Sequence, residues 1–216
     1  MIGAPQPCRF DGDDAPDAPR VWALAVARDV PGASPEATRQ RARDQARATL
    51  RALLAEHFAL PLSAIALDDR RGARVRAVLV AGTPVPPGWA TLGLSISHEA
   101  DVALIALRTA GPVGVDLAAL PVGWPGEDDA ADVLQRQAAL YLGPDHAAAQ
   151  RGADAAAFVR GWAALEARLK CLEAPLAEWS PALAARLARC DTAALALPPD
   201  LAARLPAPAA AAVAWA

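Results

Sequence analysis

SISHEADVALIALRTAGPVGVDL, residues 95–117, holds three apolar runs separated by two short polar turns. Leu92, Leu94 and Ile96 alternate with Gly93, Ser95 and Ser97, the period-two pattern of a half-buried strand over 92–97. HEAD (98–101) turns the chain, VALIAL (102–107) is a second strand, RTAGP turns it again, and VGVDL (113–117) is a third. Strands joined by turns this short pair antiparallel, because a parallel pair needs a crossover of a dozen or more residues. The expectation is an α+β fold with small antiparallel sheets rather than a doubly wound parallel one.

Working outward, VWALAVA (21–27) and RVRAVLV (74–80) read as further strands, and GTPVPPGW (82–89) as a loop. Ser34 is a good N-cap and Pro35 suits the first helical position, so a long helix runs to Phe58. Leu50, Leu53, Leu54 and His57 form its apolar face. Arg39 and Arg43 lie on the upstream extension of that face, with Arg47 and Arg51 at its side. This arginine row is either a solvated surface or the roof of an anion site. After an acidic loop, GWPGEDDAAD, one helix covers 132–142 and stops at Gly143-Pro144; another, 154–172, is capped by Asp154. AAVAWA ends the chain as a short apolar segment. Each half of the chain holds one long helix and a few strands.

The chain is 216 residues long, 54% hydrophobic and alanine-rich, with a net charge of −3. That is enough length to bury a core, in one large domain or two small ones. The charge gives no basic footprint for nucleic acid. Cys8, Cys171 and Cys190 are odd in number and scattered, which suits reduced thiols of a cytoplasmic protein. MIGAPQPCRFDGDD lacks the pattern of a signal peptide, and no apolar run reaches the ~20 residues of a membrane span.

Few side chains suggest chemistry. In GWAALEARLK (161–170), Trp162, Leu165, Leu169 and Leu172 share a helical face, with Glu166 at its margin, Lys170 one turn on, and Glu173 beyond. The plain reading is a Glu166–Lys170 pair contributing ~0.2–0.5 kcal/mol. The alternative is a carboxylate aimed into a cleft. In VGVDL, Val113, Val115 and Leu117 face one way and Gly114 and Asp116 the other. A lone Asp at a strand end is most often a turn or cap residue, and it gains weight when a second acid such as Glu166 converges on it. Two such carboxylates suit Mg²⁺, which takes one or two and fills its octahedron with water and phosphate oxygens. Ser97 and His98, at a strand end, make either a polar hairpin tip or a phosphate contact. Cys171 has no histidine near it in sequence and is not read as a nucleophile. No P-loop, G-x-G-x-x-G or G-x-S-x-G occurs.

Three segments, SISHEADVALIAL (95–107), GPVGVDLAAL (111–120) and RGWAALEARLKCLEAPLAEW (160–179), resemble in order and spacing the signature blocks of 4′-phosphopantetheinyl transferases. The similarity is to the type that activates peptide and polyketide synthases. RRGARVRAV (70–78) resembles that family's Gly-Lys-Pro segment, and RDQARATLRALL (43–54) its arginine-bearing helix. The resemblance implies two pseudo-symmetric halves, 1–109 and 110–216, each a long helix on a small antiparallel sheet, with the active-site cleft between them. It implies a cytoplasmic monomer that binds coenzyme A and Mg²⁺. The phosphopantetheine arm would pass to a serine of an acyl or peptidyl carrier protein, releasing 3′,5′-ADP. Asp116 and Glu166 would be the metal ligands, Glu166 also taking the serine proton, and Lys170 would stabilise phosphate charge. Ser97, His98, Arg43 or Arg47, and Arg74 would hold the coenzyme A phosphates.

The chain departs from the family pattern at several positions. Ala118 stands where an acid often follows the metal-binding Asp. Leu165 replaces the Lys before the motif glutamate, Ala163 a small hydroxyl residue, and Ala73 the Lys of the Gly-Lys-Pro segment. Glu173 and Ala174 replace two glycines. The alternative implied by these changes is a homologue that binds coenzyme A or a carrier protein without turnover.

Overall fold

A computed structural model describes residues 4–26, 34–68, 74–120, 130–149 and 154–216. The ends of two expected segments, Ala27 of 21–27 and Arg70 to Ala73 of 70–78, and most of the acidic loop at 123–132 lie outside the described residues. In chain order the elements are β1 (Gln6–Pro7), β2 (Arg20–Ala25), α1 (Pro35–His57), β3 (Ile65–Asp68), β4 (Arg76–Leu79), β5 (Gly93–Glu99), β6 (Val102–Arg108) and β7 (Val113–Ala119). Then follow α2 (Ala130–Gln137), α3 (Pro144–Ala149), α4 (Ala155–Cys171), α5 (Pro181–Leu187), β8 (Asp191–Ala194), α6 (Pro199–Ala202) and β9 (Ala209–Trp215). The fold is α+β, and every strand pair within its three sheets is antiparallel. No described helix is long and apolar enough to cross a membrane.

The helix starts follow from capping. Ser34 Oγ accepts the Ala37 amide at 3.2 Å, and Asp154 Oδ1 accepts that of Ala157 at 2.9 Å. The strands depart from the expected meander. β5 and β6 form a hairpin in the sheet β1-β2-β6-β5, but β7 leaves it for the sheet β7-β9-β8, where it pairs with β9 from Val113 to Ala119. The turn is also tighter than HEAD: His98 and Glu99 continue β5, opposite Ala103 and Val102, and only Ala100 and Asp101 turn the chain.

Helix α1 packs Ala42, Ala46, Leu50, Leu53 and Leu54 on the first sheet. The upstream extension of its apolar face is therefore alanine, with Arg43 and Arg47 half-buried beside it. Helix α4 packs on the second sheet through Ala163, Ala167 and Cys171, whereas Leu165 and Leu169 meet Leu183 and Leu187 of α5. A continuous core joins the two sheets: Val21, Val102 and Leu104 from one pack with Val113, Val115 and Val213 from the other.

Where β5 and β7 lie side by side, side chains replace the missing ladder. Ser95 Oγ accepts the Val115 amide at 3.1 Å and Ser97 Oγ that of Leu117 at 3.3 Å. Two backbone donors that would otherwise be buried unpaired are thus satisfied. Gly114 lets α4 close on β7. A methyl group there would overlap the Ala167 carbonyl oxygen and the Cys171 amide nitrogen.

Candidate functional site

Period-two alternation in β7 sends Val115 and Leu117 into the shared core and turns Asp116 toward α4. Asp116 is 4% exposed. Its Oδ1 accepts the Ser97 hydroxyl at 2.8 Å and the Lys170 ammonium at 2.6 Å. Among the described residues its Oδ2 has no hydrogen-bond partner. The ion pair that forms is therefore Lys170–Asp116, between helix and strand, not the local Glu166–Lys170 pair. Removing two charges from water is costly, and close, multiply hydrogen-bonded geometry offsets it.

The network is saturated on two members. Lys170 Nζ also donates to Ser97 Oγ at 3.1 Å and to the Val115 carbonyl at 3.3 Å, which uses all three of its protons. Ser97 Oγ donates to Asp116 and accepts from Leu117 and Lys170, which uses its proton and both lone pairs. The expected phosphate ligand Ser97 is instead turned inward, in mid-strand, where it orients Asp116. Lys170, expected on a phosphate, points at the same carboxylate.

Glu166 lies one helical turn before Lys170. Burial is the main influence raising its proton affinity, the Asp116 charge raises it further, and Lys170 and a hydrogen bond from the Trp162 side chain act in the opposite sense. Trp162 is fixed by Phe158, stacked at 5.8 Å between centroids, and by Tyr141, edge-on at 5.4 Å. Asp116, Glu166, Lys170, Ser97 and His98 all border one cavity of about 590 Å³, whose apolar wall includes Phe158 and Trp162.

A second hollow of about 720 Å³ adjoins it and shares Ile96, His98 and Lys170. Arg43 and Arg47 from α1 and Arg74 line it. The eight residues to which the resemblance gives a metal, proton or phosphate role thus all border these two hollows. Arg74 differs from its expected role as a phosphate ligand. Its Nε donates to the Leu94 carbonyl and its Nη2 to that of Val113, both at 3.1 Å, and its Nη1 meets Glu173 Oε1 at 2.8 Å. It is first a clamp between β5 and β7.

Sequence reading missed the backbone conformation of Glu173 and its pairing with Arg74 and Arg76. It follows the last turn of α4 at φ 51°. Its amide donates to the Lys170 carbonyl and that of Ala174 to Leu169, the two bonds of a Schellman closure that glycine normally occupies. A non-glycine residue there costs about 1–2 kcal/mol. The signal was an acid standing just beyond a helix end.

Two carboxylates at one cavity, one with an oxygen that has no hydrogen-bond partner among the described residues, fit a divalent cation with two protein ligands. Ala118, on the same face of β7 as Asp116, offers no third. Among the described residues no cluster of three His, Cys, Asp or Glu side chains exists. Compared with known proteins, the chain matches no family model and no curated protein.

Proposed function

We propose that this protein transfers the phosphopantetheine arm of coenzyme A to a serine of an acyl or peptidyl carrier protein. The supporting observation is the union of a carboxylate cavity with an arginine-lined hollow through His98 and Lys170. The reaction needs those two environments side by side: anion binding for the nucleotide phosphates, and a charged centre for the pyrophosphate. Asp116 and Glu166 would hold Mg²⁺, which when bound neutralises charge on the pyrophosphate.

Arg43 and Arg47 bind the nucleotide phosphates with their fork-shaped donors, and His98 stands between the hollows. Ser97 and Lys170 hold Asp116 in one orientation and limit its repulsion of Glu166. Glu166, with its raised proton affinity, accepts the proton of the carrier serine. The serine oxygen bonds to the β-phosphorus, the bond from that phosphorus to the bridging oxygen breaks, and 3′,5′-ADP leaves with the electron pair. A second reading, binding of coenzyme A or a carrier without turnover, draws on Ala118 and on the saturated Lys170.

Incubation with Mg²⁺, coenzyme A and a panel of apo carrier proteins separates the two. Transferase activity adds one phosphopantetheine arm to a carrier, read by intact mass. Coenzyme A binding with every carrier unmodified supports the second reading.

A further inference from the structure

Glu173 places its carboxylate among cations that a dissolved anion would otherwise meet. Oε1 accepts from Arg74 Nη1 at 2.8 Å, and Oε2 lies 3.4 Å from Arg76 Nη2. Two guanidiniums on one oxyanion is how arginine also grips phosphate. The residue lines the second hollow beside Arg43, Arg47 and Arg74. Among the described residues only three other than glycine have positive φ, and Glu173 is the one that carries a charge.

Charge pairing in that hollow is uneven. Lys170 is matched by Asp116 and Arg74 by Glu173, while Arg43 and Arg47 have no carboxylate partner among the described residues. Arg74 is anchored without Glu173, because the Leu94 and Val113 carbonyls hold its Nε and Nη2. Removing the carboxylate would leave the Arg74 fork in place with Nη1 available. Glu173 itself is 52% exposed, so its side chain can move into water with little loss.

We propose that Glu173 is a resident anion that competes with phosphate-bearing ligands for the second hollow and so sets their affinity. The ligand class is a phosphate or diphosphate, displacing the carboxylate from Arg74. This rests on the assignment of that hollow as the anion side of the transferase.

The test is calorimetric titration of inorganic pyrophosphate into the wild type, Glu173→Gln and Glu173→Gly at low salt. Gln keeps the backbone strain and removes the charge, while Gly removes both. Both variants should bind about two- to fivefold more tightly than wild type, a gain that shrinks as salt is added. Equal affinity in all three, weaker binding by Glu173→Gln, or no binding by any of them overturns the proposal. Cooperative thermal unfolding of each variant confirms that the comparison is between folded proteins. Pyrophosphate competition without carrier modification would defeat the transferase reading alone. Carrier modification with unchanged pyrophosphate affinity would defeat this one alone.

Discussion

The two hollows are built from opposite kinds of parts. In the inner one, Ser97 and Lys170 spend all their hydrogen-bonding capacity on Asp116, on each other and on the β7 backbone, and β7, β5 and α4 hold the three side chains together. In the outer one, Arg43 and Arg47 are half-buried side chains from a helix, with no carboxylate partner among the described residues. If the proposed function holds, the difference teaches that changes to the inner network should strike stability and chemistry together, whereas changes to Arg43 and Arg47 should strike affinity alone. Arg74 stands between the two kinds, since it lines the outer hollow while clamping the strands that carry the inner one.

The hardest break is where α4 closes on β7, the strand that carries Asp116. Gly114→Ala forces α4 off β7, because the added methyl meets backbone that has no rotamer to change. Overpacking against backbone should cost about 3 kcal/mol or more in urea unfolding. If stability is unchanged, the close approach of helix and strand is wrong.

Next is Lys170→Met, which strands a buried carboxylate. We expect a loss of about 2–4 kcal/mol, somewhat below a fully buried pair because Lys170 is 33% exposed. The double variant Asp116→Asn/Lys170→Met should recover most of that stability but none of the transfer activity. Additive losses would mean that the two side chains do not depend on each other.

The outer hollow gives the contrasting result. Arg43→Ala/Arg47→Ala should leave unfolding within about 0.5 kcal/mol of wild type while weakening coenzyme A binding about tenfold. A large stability loss with unchanged affinity would reverse the comparison.

The smallest effect concerns pH. The folded protein raises the Glu166 proton affinity above its ordinary value near 4.5. The stability this contributes is present below that value and is lost as pH rises through the raised one. Glu166→Gln removes the loss, so its melting temperature should exceed wild type by about 1–3 °C at neutral pH, with the advantage vanishing in acid. An equal gain at every pH would point to packing instead.

Much of this was legible in the sequence, and the failures have two physical causes. The capped helices, the β5–β6 hairpin and the turn of Asp116 away from the shared core followed from caps, turn lengths and period-two alternation. Alanine is the first of them. β9, AAAAVAW, is the central strand of the second sheet yet reads as a nondescript apolar tail. The face of α4 that meets the sheet is Ala163, Ala167 and Cys171, while the larger leucines face α5. An alanine is apolar on any face and marks none. Asp116, Glu166 and Lys170, which border one cavity, drew notice because acids and lysine are rare in this chain's apolar blocks. That Ser97 and Lys170 are consumed by Asp116 depends on strands meeting across a seam, which spacing along the chain does not encode.

Coenzyme A titration followed by intact-mass analysis of an apo carrier, on wild type and Glu166→Gln together, joins both hollows in one measurement. Wild type should bind coenzyme A and add the arm to the carrier, and Glu166→Gln should bind coenzyme A and leave the carrier unmodified. Equal modification by both proteins would contradict the role given to Glu166.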